Sequence, residues 1–309
     1  MSLRSERGGS RGCCPDAAAP DGPLVIAGMS CSGLSRVATI VANAGVHLGA
    51  DADRRGRPRH QDRELADFHL VTLAANGIVP EGYTTQVEVG VPEPLRRDAA
   101  RLIAARRGRG HAWGWADPRA ALLLDFWRTE VADARFLLVF RRPWEVVDEL
   151  YRHGGDVFRH HPSLALDVWL HYNRRVVEFA IRHPRITIVC EAEQAAAEPR
   201  RLCQAVRRQF AVPLCDPSGE AGGPRPGGDD HSGRAMLLQA LCPEAIDLYR
   251  RLQDLAGAPT PLPASGTEAA PAPELWRHLL ADWQRSAVAD RPSSSPPFQW
   301  WPALRRKAA

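Results

Sequence analysis

Lysine is almost absent from this sequence. Of its 40 basic residues only Lys307 is a lysine, and the other 39 are arginines. A cation facing a phosphate within the body of the chain must therefore be arginine, a backbone amide or a metal. Long apolar runs are missing too, and none approaches the roughly 20 residues that a membrane-spanning helix needs. Residues 1–21 hold no apolar stretch of the kind a secretory leader uses, so export is not expected. The seven cysteines (Cys13, Cys14, Cys31, Cys190, Cys203, Cys215 and Cys242) are odd in number and show no metal-ligand spacing. That pattern predicts reduced thiols in a cytoplasmic protein and no metal site. A strong charge imbalance is also lacking: the net charge of +4 is too small to argue for nucleic acid.

What is present is ordinary for a globular protein. The chain is 309 residues long, 44% hydrophobic and 25% charged, enough to bury a full core. It reads as one α/β domain over residues 22–290. A polar N-terminal tail (1–21), expected to be disordered, precedes it, and a C-terminal tail (291–309) carrying Phe298, Trp300 and Trp301 follows. The abundance of Arg, Ala, Gly and Pro suggests a GC-rich, bacterial genome.

Apolar strands alternate with helices along the domain, which predicts a parallel sheet with helices on both faces. Strands are expected at 24–27, 113–116, 136–140 and 186–189. Helices are expected after the first strand and near 61–76, 92–107, 118–132, from Pro143, along the stripe Leu166, Trp169, Leu170, Val177 and Ile181, and near 198–210, 234–256 and 274–286. Gly/Pro-rich loops fill 218–233 and 256–272. Ligands of such sheets bind beyond the carboxyl ends of the strands.

The sharpest local signal is the turn Gly28-Met29-Ser30-Cys31-Ser32-Gly33-Leu34-Ser35, between a buried strand and a helix bearing Val37, Ile40, Val41 and Ala44. Its spacing is that of a phosphate-binding loop, with Leu34 where a nucleotide hydrolase carries lysine. Successive amides before a helix N-terminus still favour an anion there. Hydrolysis of ATP or GTP is not expected.

This turn and the segments that follow resemble the bacterial sulfotransferases. The turn and the helix ending Gly45-Val46-His47-Leu48-Gly49 are similar to that family's loop and first helix. Trp113-Gly114-Trp115-Ala116-Asp117-Pro118-Arg119 looks like its "W-x-W-K-D-P-R" segment. Arg141-Arg142-Pro143 within 136–150, Trp169 to Arg174, and Ile188-Val189-Cys190-Glu191 through Glu198-Pro199 are similar to its later elements. The likeness covers about residues 23–215. It implies a three-layer, P-loop-like parallel sheet flanked by helices, PAPS as sulfuryl donor, and a transferase acting on a small molecule in specialised metabolism.

The family pattern is broken at chosen places. Cys31 stands where the family has the loop cation, Leu34 replaces a small hydroxylated residue, Ala116 replaces the lysine of "K-D-P", and Glu149 falls on the serine at the donor's 3′-phosphate. A GC-rich genome exchanges Lys for Arg, not for Cys or Ala. The resemblance therefore leaves two enzymatic readings: PAPS-dependent sulfuryl transfer, or another reaction (elimination, cyclisation or condensation) in the same fold. A non-catalytic binding protein is the third.

Carried onto this sequence, the donor site comprises Ser30, Cys31, Ser32, Gly33, Leu34, Ser35, Arg36, Arg141 and Glu149. His60, Asp62 and His111 are the candidate acids and bases, although Asp62 equally suits a helix cap. Trp115, Asp117 and Arg119 are the candidate substrate contacts, and Asp117 and Arg119 could equally cap and stabilise the next helix. The expected partner is a small molecule, anionic or carrier-linked, with no nucleic acid and no membrane; a homo-oligomer is left open.

Overall fold

The structure, a computed structural model, describes residues 22–49, 60, 62–161, 163–217, 238 and 240–257. The chain divides into two units, 1–265 and 266–309, and every described residue belongs to the first. The expected helix near 274–286 and the tryptophan-bearing tail lie outside the described residues.

Four strands form one parallel sheet in the order β2-β1-β3-β4: β1 (Leu24–Gly28), β2 (Gly114–Ala116), β3 (Arg135–Phe140) and β4 (Thr187–Glu191). Leu24 pairs with Gly114 and Arg135, and Phe136 with Thr187, so the four strands run in step. Their carboxyl ends (Gly28, Ala116, Phe140 and Glu191) share one edge of the sheet.

The side-chain alternation of the strands makes three layers. Val25, Ala27, Phe136, Leu138 and Phe140 pack on one face with α2 (Arg63–Ala75), α5 (Pro143–His153), α7 (Ser163–Arg182) and α10 (Pro243–Ala256). Leu24, Ile26, Leu137 and Val139 pack on the other with α1 (Leu34–Asn43), α8 (Ala192–Ala197) and α9 (Pro199–Phe210). Because both faces are covered, β1 and β3 read as continuous apolar runs. The remaining helices are α3 (Glu93–Ala104), α4 (Leu124–Glu130) and α6 (Asp156–His160).

Three expectations change in detail: the helix expected at 234–256 is interrupted at Cys242 (φ −144°, ψ 70°), so that α10 begins at Pro243. The helix expected at 118–132 is a 3-10 turn (Pro118–Leu122) followed by α4, because Leu123 leaves helical geometry at φ −121° and ψ 24°. Ile181, expected on the buried stripe of α7, is 57% exposed. Among the described residues no helix is long and apolar enough to cross a membrane.

Candidate functional site at the carboxyl edge of the sheet

The glycine turn leaves β1 at the carboxyl edge and enters α1. Two residues there hold left-handed backbone, Cys31 at φ 67° and Gly33 at φ 81°. For Gly33 this conformation costs little, and a side chain on it would collide with Cβ of Ala192 at the start of α8. Gly28 is equally confined, since a side chain there would meet the carbonyl of Val139 on β3. The turn is thus wedged between β3 and α8. Ser32 donates its amide to the Met29 carbonyl at 3.1 Å, while its hydroxyl is buried with no hydrogen-bond partner. The Ser30 hydroxyl donates to the Glu81 carbonyl at 3.2 Å. Leu34 is buried, Arg36 half-buried and Ser35 exposed. The first amides of α1 have no acceptor within their own helix, as at any helix start.

Arg141 follows β3 and reaches this turn. Its Nη1 donates to the Cys31 carbonyl at 3.4 Å and to Glu149 Oε2 at 2.6 Å. Its Nε lies 2.7 Å from Glu145 Oε2 and 2.9 Å from Glu193 Oε1. Burial opposes the charge of Arg141, but Glu193, Glu145 and Glu149 outweigh it, so the guanidinium is held more firmly protonated than usual. The backbone carbonyl of Arg141 accepts from Trp169 Nε1 at 3.2 Å, which fixes the residue against α7.

A second layer lies behind it. Arg142 Nη1 is 3.3 Å from Glu145 Oε1, and its Nε is 3.4 Å from Glu191 Oε1. Tyr249 on α10 donates to Glu191 at 2.7 Å and accepts from Gln253 at 3.0 Å. Four carboxylates (Glu145, Glu149, Glu191 and Glu193) therefore face two guanidinium groups. Burial and the neighbouring charge of Glu145 push the Glu193 carboxyl up, against the pull of Arg141. Burial, with Cys31, Glu81 and Glu149 adding to it, likewise pushes up the Tyr83 phenol. Burial is the main cause of both shifts, and the neighbouring negative groups add to it.

Beside β2, Asp117 accepts the Arg119 amide at 2.8 Å and pairs with its guanidinium through Nε at 2.8 Å and Nη2 at 2.7 Å. His69 Nδ1 on α2 lies 3.2 Å from Asp117 Oδ2, and Trp127 Nε1 donates to His69 Nε2 at 3.0 Å. Burial alone would raise the Asp117 carboxyl, yet His69 and Arg119 hold it well below the usual range. All four side chains are buried, so this cluster joins the sheet to α2 and α4.

The candidate residues divide between the two ends of the sheet. Ser30, Cys31, Ser32, Gly33, Leu34, Ser35, Arg36, Arg141 and Glu149 come together at the carboxyl edge. Asp117 and Arg119 reach the same edge but are committed to one another, and the Asp117 side chain caps the 3-10 turn. Trp115 is packed away in the core against Trp113 and Trp127, because its position on β2 faces inward; it does not line the edge.

His60, Asp62 and His111 belong to the opposite end. Asp62 caps α2 through the Leu65 amide and takes two hydrogen bonds of 2.7 Å from Arg106. Arg107, beside it, is paired with Asp133, just ahead of β3. Although burial opposes it, Arg106 and the nearby amides hold the Asp62 carboxyl below its ordinary value. His60 is half-buried, and that burial lowers its pKa. His111 precedes β2, ring to ring with His47 at 5.3 Å. The five residues of β1 put roughly 16 Å of strand, at about 3.3 Å per residue, between His111 and the glycine turn. None of these three groups is placed to move a proton at the turn.

The residues that sequence reasoning missed are Glu145, Glu191, Glu193 and His69. Glu145 sits four positions after Arg141 on one helix face, a spacing legible in the sequence. Glu193 becomes a neighbour only through the register that sets Phe140 beside Glu191.

No family model and no curated protein matches the chain. Among solved structures it is similar to the sulfotransferase domain of the Synechococcus PCC 7002 olefin synthase, at 16% identity over 87% of this chain and 97% of that one, with a TM-score of 0.44. It is also similar to the sulfotransferase domain from the curacin biosynthetic pathway, at 14% identity over 86% and 99%, with a TM-score of 0.42. A sulfotransferase from Mycobacterium tuberculosis H37Rv matches at 15% identity over 66% and 71%, with a TM-score of 0.41.

Proposed function

We propose that this chain is a sulfotransferase-fold enzyme of bacterial specialised metabolism that acts on a small molecule at the carboxyl edge of the sheet without using PAPS as donor. One observation carries the reading. Arg141, the cation that the resemblance assigns to the donor's 3′-phosphate, is already bonded to Glu145, Glu149 and Glu193. Two unit charges 4 Å apart interact by about 4 kcal/mol at an effective dielectric near 20. A phosphate dianion beside Glu149 meets that repulsion and finds Nη1 and Nε of Arg141 already paired with carboxylates. The residues present do not fit PAPS, and no step through it is derived.

The family segments still support a ligand site at this edge. The turn, Asp117 to Arg119, Arg141 to Glu149, and Glu191 to Glu193 are far apart in sequence and meet at one end of the sheet, where parallel α/β folds take their ligands. The enzymatic and the purely binding readings share that geometry; a turnover assay with the eventual ligand separates them.

The donor is tested directly by calorimetric titration of the purified protein with PAPS and with its product, adenosine 3′,5′-bisphosphate (PAP). No heat up to millimolar ligand is expected. Micromolar binding of either nucleotide overturns the reading in favour of a PAPS-dependent sulfotransferase.

A further inference from the structure

We infer that Glu149 is a specificity-determining residue: its carboxylate is an internal counter-ion that closes a latent oxyanion site at the glycine turn. The inference rests on the reading that Arg141 and the turn form one site, and adds which residue shuts it.

The geometry singles out Glu149 among the three carboxylates on Arg141. Nη1 is the guanidinium nitrogen that faces the turn, since it also reaches the Cys31 carbonyl, and Glu149 caps that nitrogen at 2.6 Å. Glu145 and Glu193 bind the other side, at Nε. Glu145 is buried and also pairs with Arg142, so it ties α5 to the strand end. Glu149 is the more exposed of the two glutamates on α5, at 19% of its side chain against 7%. It can be altered with the least damage to the fold.

The parts of an oxyanion site are otherwise present. The turn supplies a left-handed glycine at the start of a ten-residue helix, whose first amides find no acceptor within the helix itself, and the Ser32 hydroxyl is buried there without a partner. With its carboxylate seated on Nη1, Glu149 supplies the negative charge that an external sulfate or phosphate would otherwise bring. The groups facing Arg141 are Glu145 and Glu149 from α5, Glu193 from α8, Cys31 from the turn and its neighbour Arg142. Glu191 lies behind Arg142, and Tyr83 and Glu81 lie near Glu149 and Cys31.

The test compares wild type with Glu149→Ser and Glu149→Gln, titrated with sodium sulfate and with PAP by calorimetry at low ionic strength. Melting without ligand checks that each variant folds. The expected result is no binding by wild type, at least tenfold tighter binding of both anions by Glu149→Ser, and loss of that gain when Arg141→Met is added. A folded Glu149→Ser that binds no better than wild type overturns the inference alone. Micromolar binding by wild type overturns both the inference and the donor reading. Should neither variant fold, wild type answers by itself. Detectable binding of sulfate or PAP by wild type up to millimolar ligand overturns the inference, and no heat up to that concentration upholds it.

Discussion

Asp117 shows how completely a side chain can be spent on the fold. It holds the Arg119 amide, the Arg119 guanidinium and His69, and nothing remains of it for a ligand. Its carboxyl is depressed in the folded state, so its contribution to stability is fully present above the ordinary carboxylate value of about 3.9 and is lost as pH falls through the folded value. Asp117→Ala should cost about 3–5 kcal/mol in urea denaturation, because it strands a buried guanidinium. Asp117→Asn should flatten the acid limb of a stability–pH curve; an unchanged limb would show that other carboxylates set it. Cysteines make a second residue-scale prediction. Burial pushes the Cys190 thiol up to about 12 and the Cys203 thiol to about 11. Neither should react with iodoacetamide at pH 8 in the native protein, and both should react in denaturant. Asp117's reach to Arg119 was legible from sequence, since a residue before Pro118 in extended geometry is a ready cap. His69 was not: an isolated histidine on an amphipathic helix carries no sign of which carboxylate it will meet.

At the scale of elements, the sequence was most legible where physics is local. The runs at 24–27 and 136–140 announce buried parallel strands, and Pro143 marks the first residue of α5. The turn spacing correctly located a strand-to-helix junction. Its left-handed Cys31 was hidden, because nothing in the neighbouring residues demands that conformation. Gly33 tests the junction: Gly33→Ala combines a positive φ with a collision against Ala192. It should destabilise the protein by more than about 1 kcal/mol, read from the shift in denaturation midpoint. A midpoint within error of wild type would mean that the turn relaxes away from α8. The ends of the sheet explain why the candidate bases dispersed. The family resemblance implied that the loop carrying His60 lies beside the turn. Asp62 and the Arg106–Arg107 pair instead place the start of α2 at the amino edge, and α2 climbs from there to bring His69 to Asp117.

Among the described residues the sheet has no hairpin. Every strand partner is distant in the chain: Leu24 meets Gly114 and Arg135, and Phe136 meets Thr187. Alternation of helix and strand made the three layers legible, yet the strand order was not, since a crossover leaves no mark in composition. The order has a consequence in time. β1 occupies an interior place between β2 and β3, so it finds its first partner at Gly114–Ala116 and its second only at Arg135–Phe140, far along the chain. Loop closure of that length precedes any reward from sheet contacts, which makes folding slow and leaves an apolar strand waiting during synthesis. A chain ending at residue 132 should show no cooperative melt, and refolding of the full chain from urea should take milliseconds to seconds, not microseconds. During synthesis Leu24–Gly28 therefore stays without its sheet neighbours until first Gly114–Ala116 and then Arg135–Phe140 have been made.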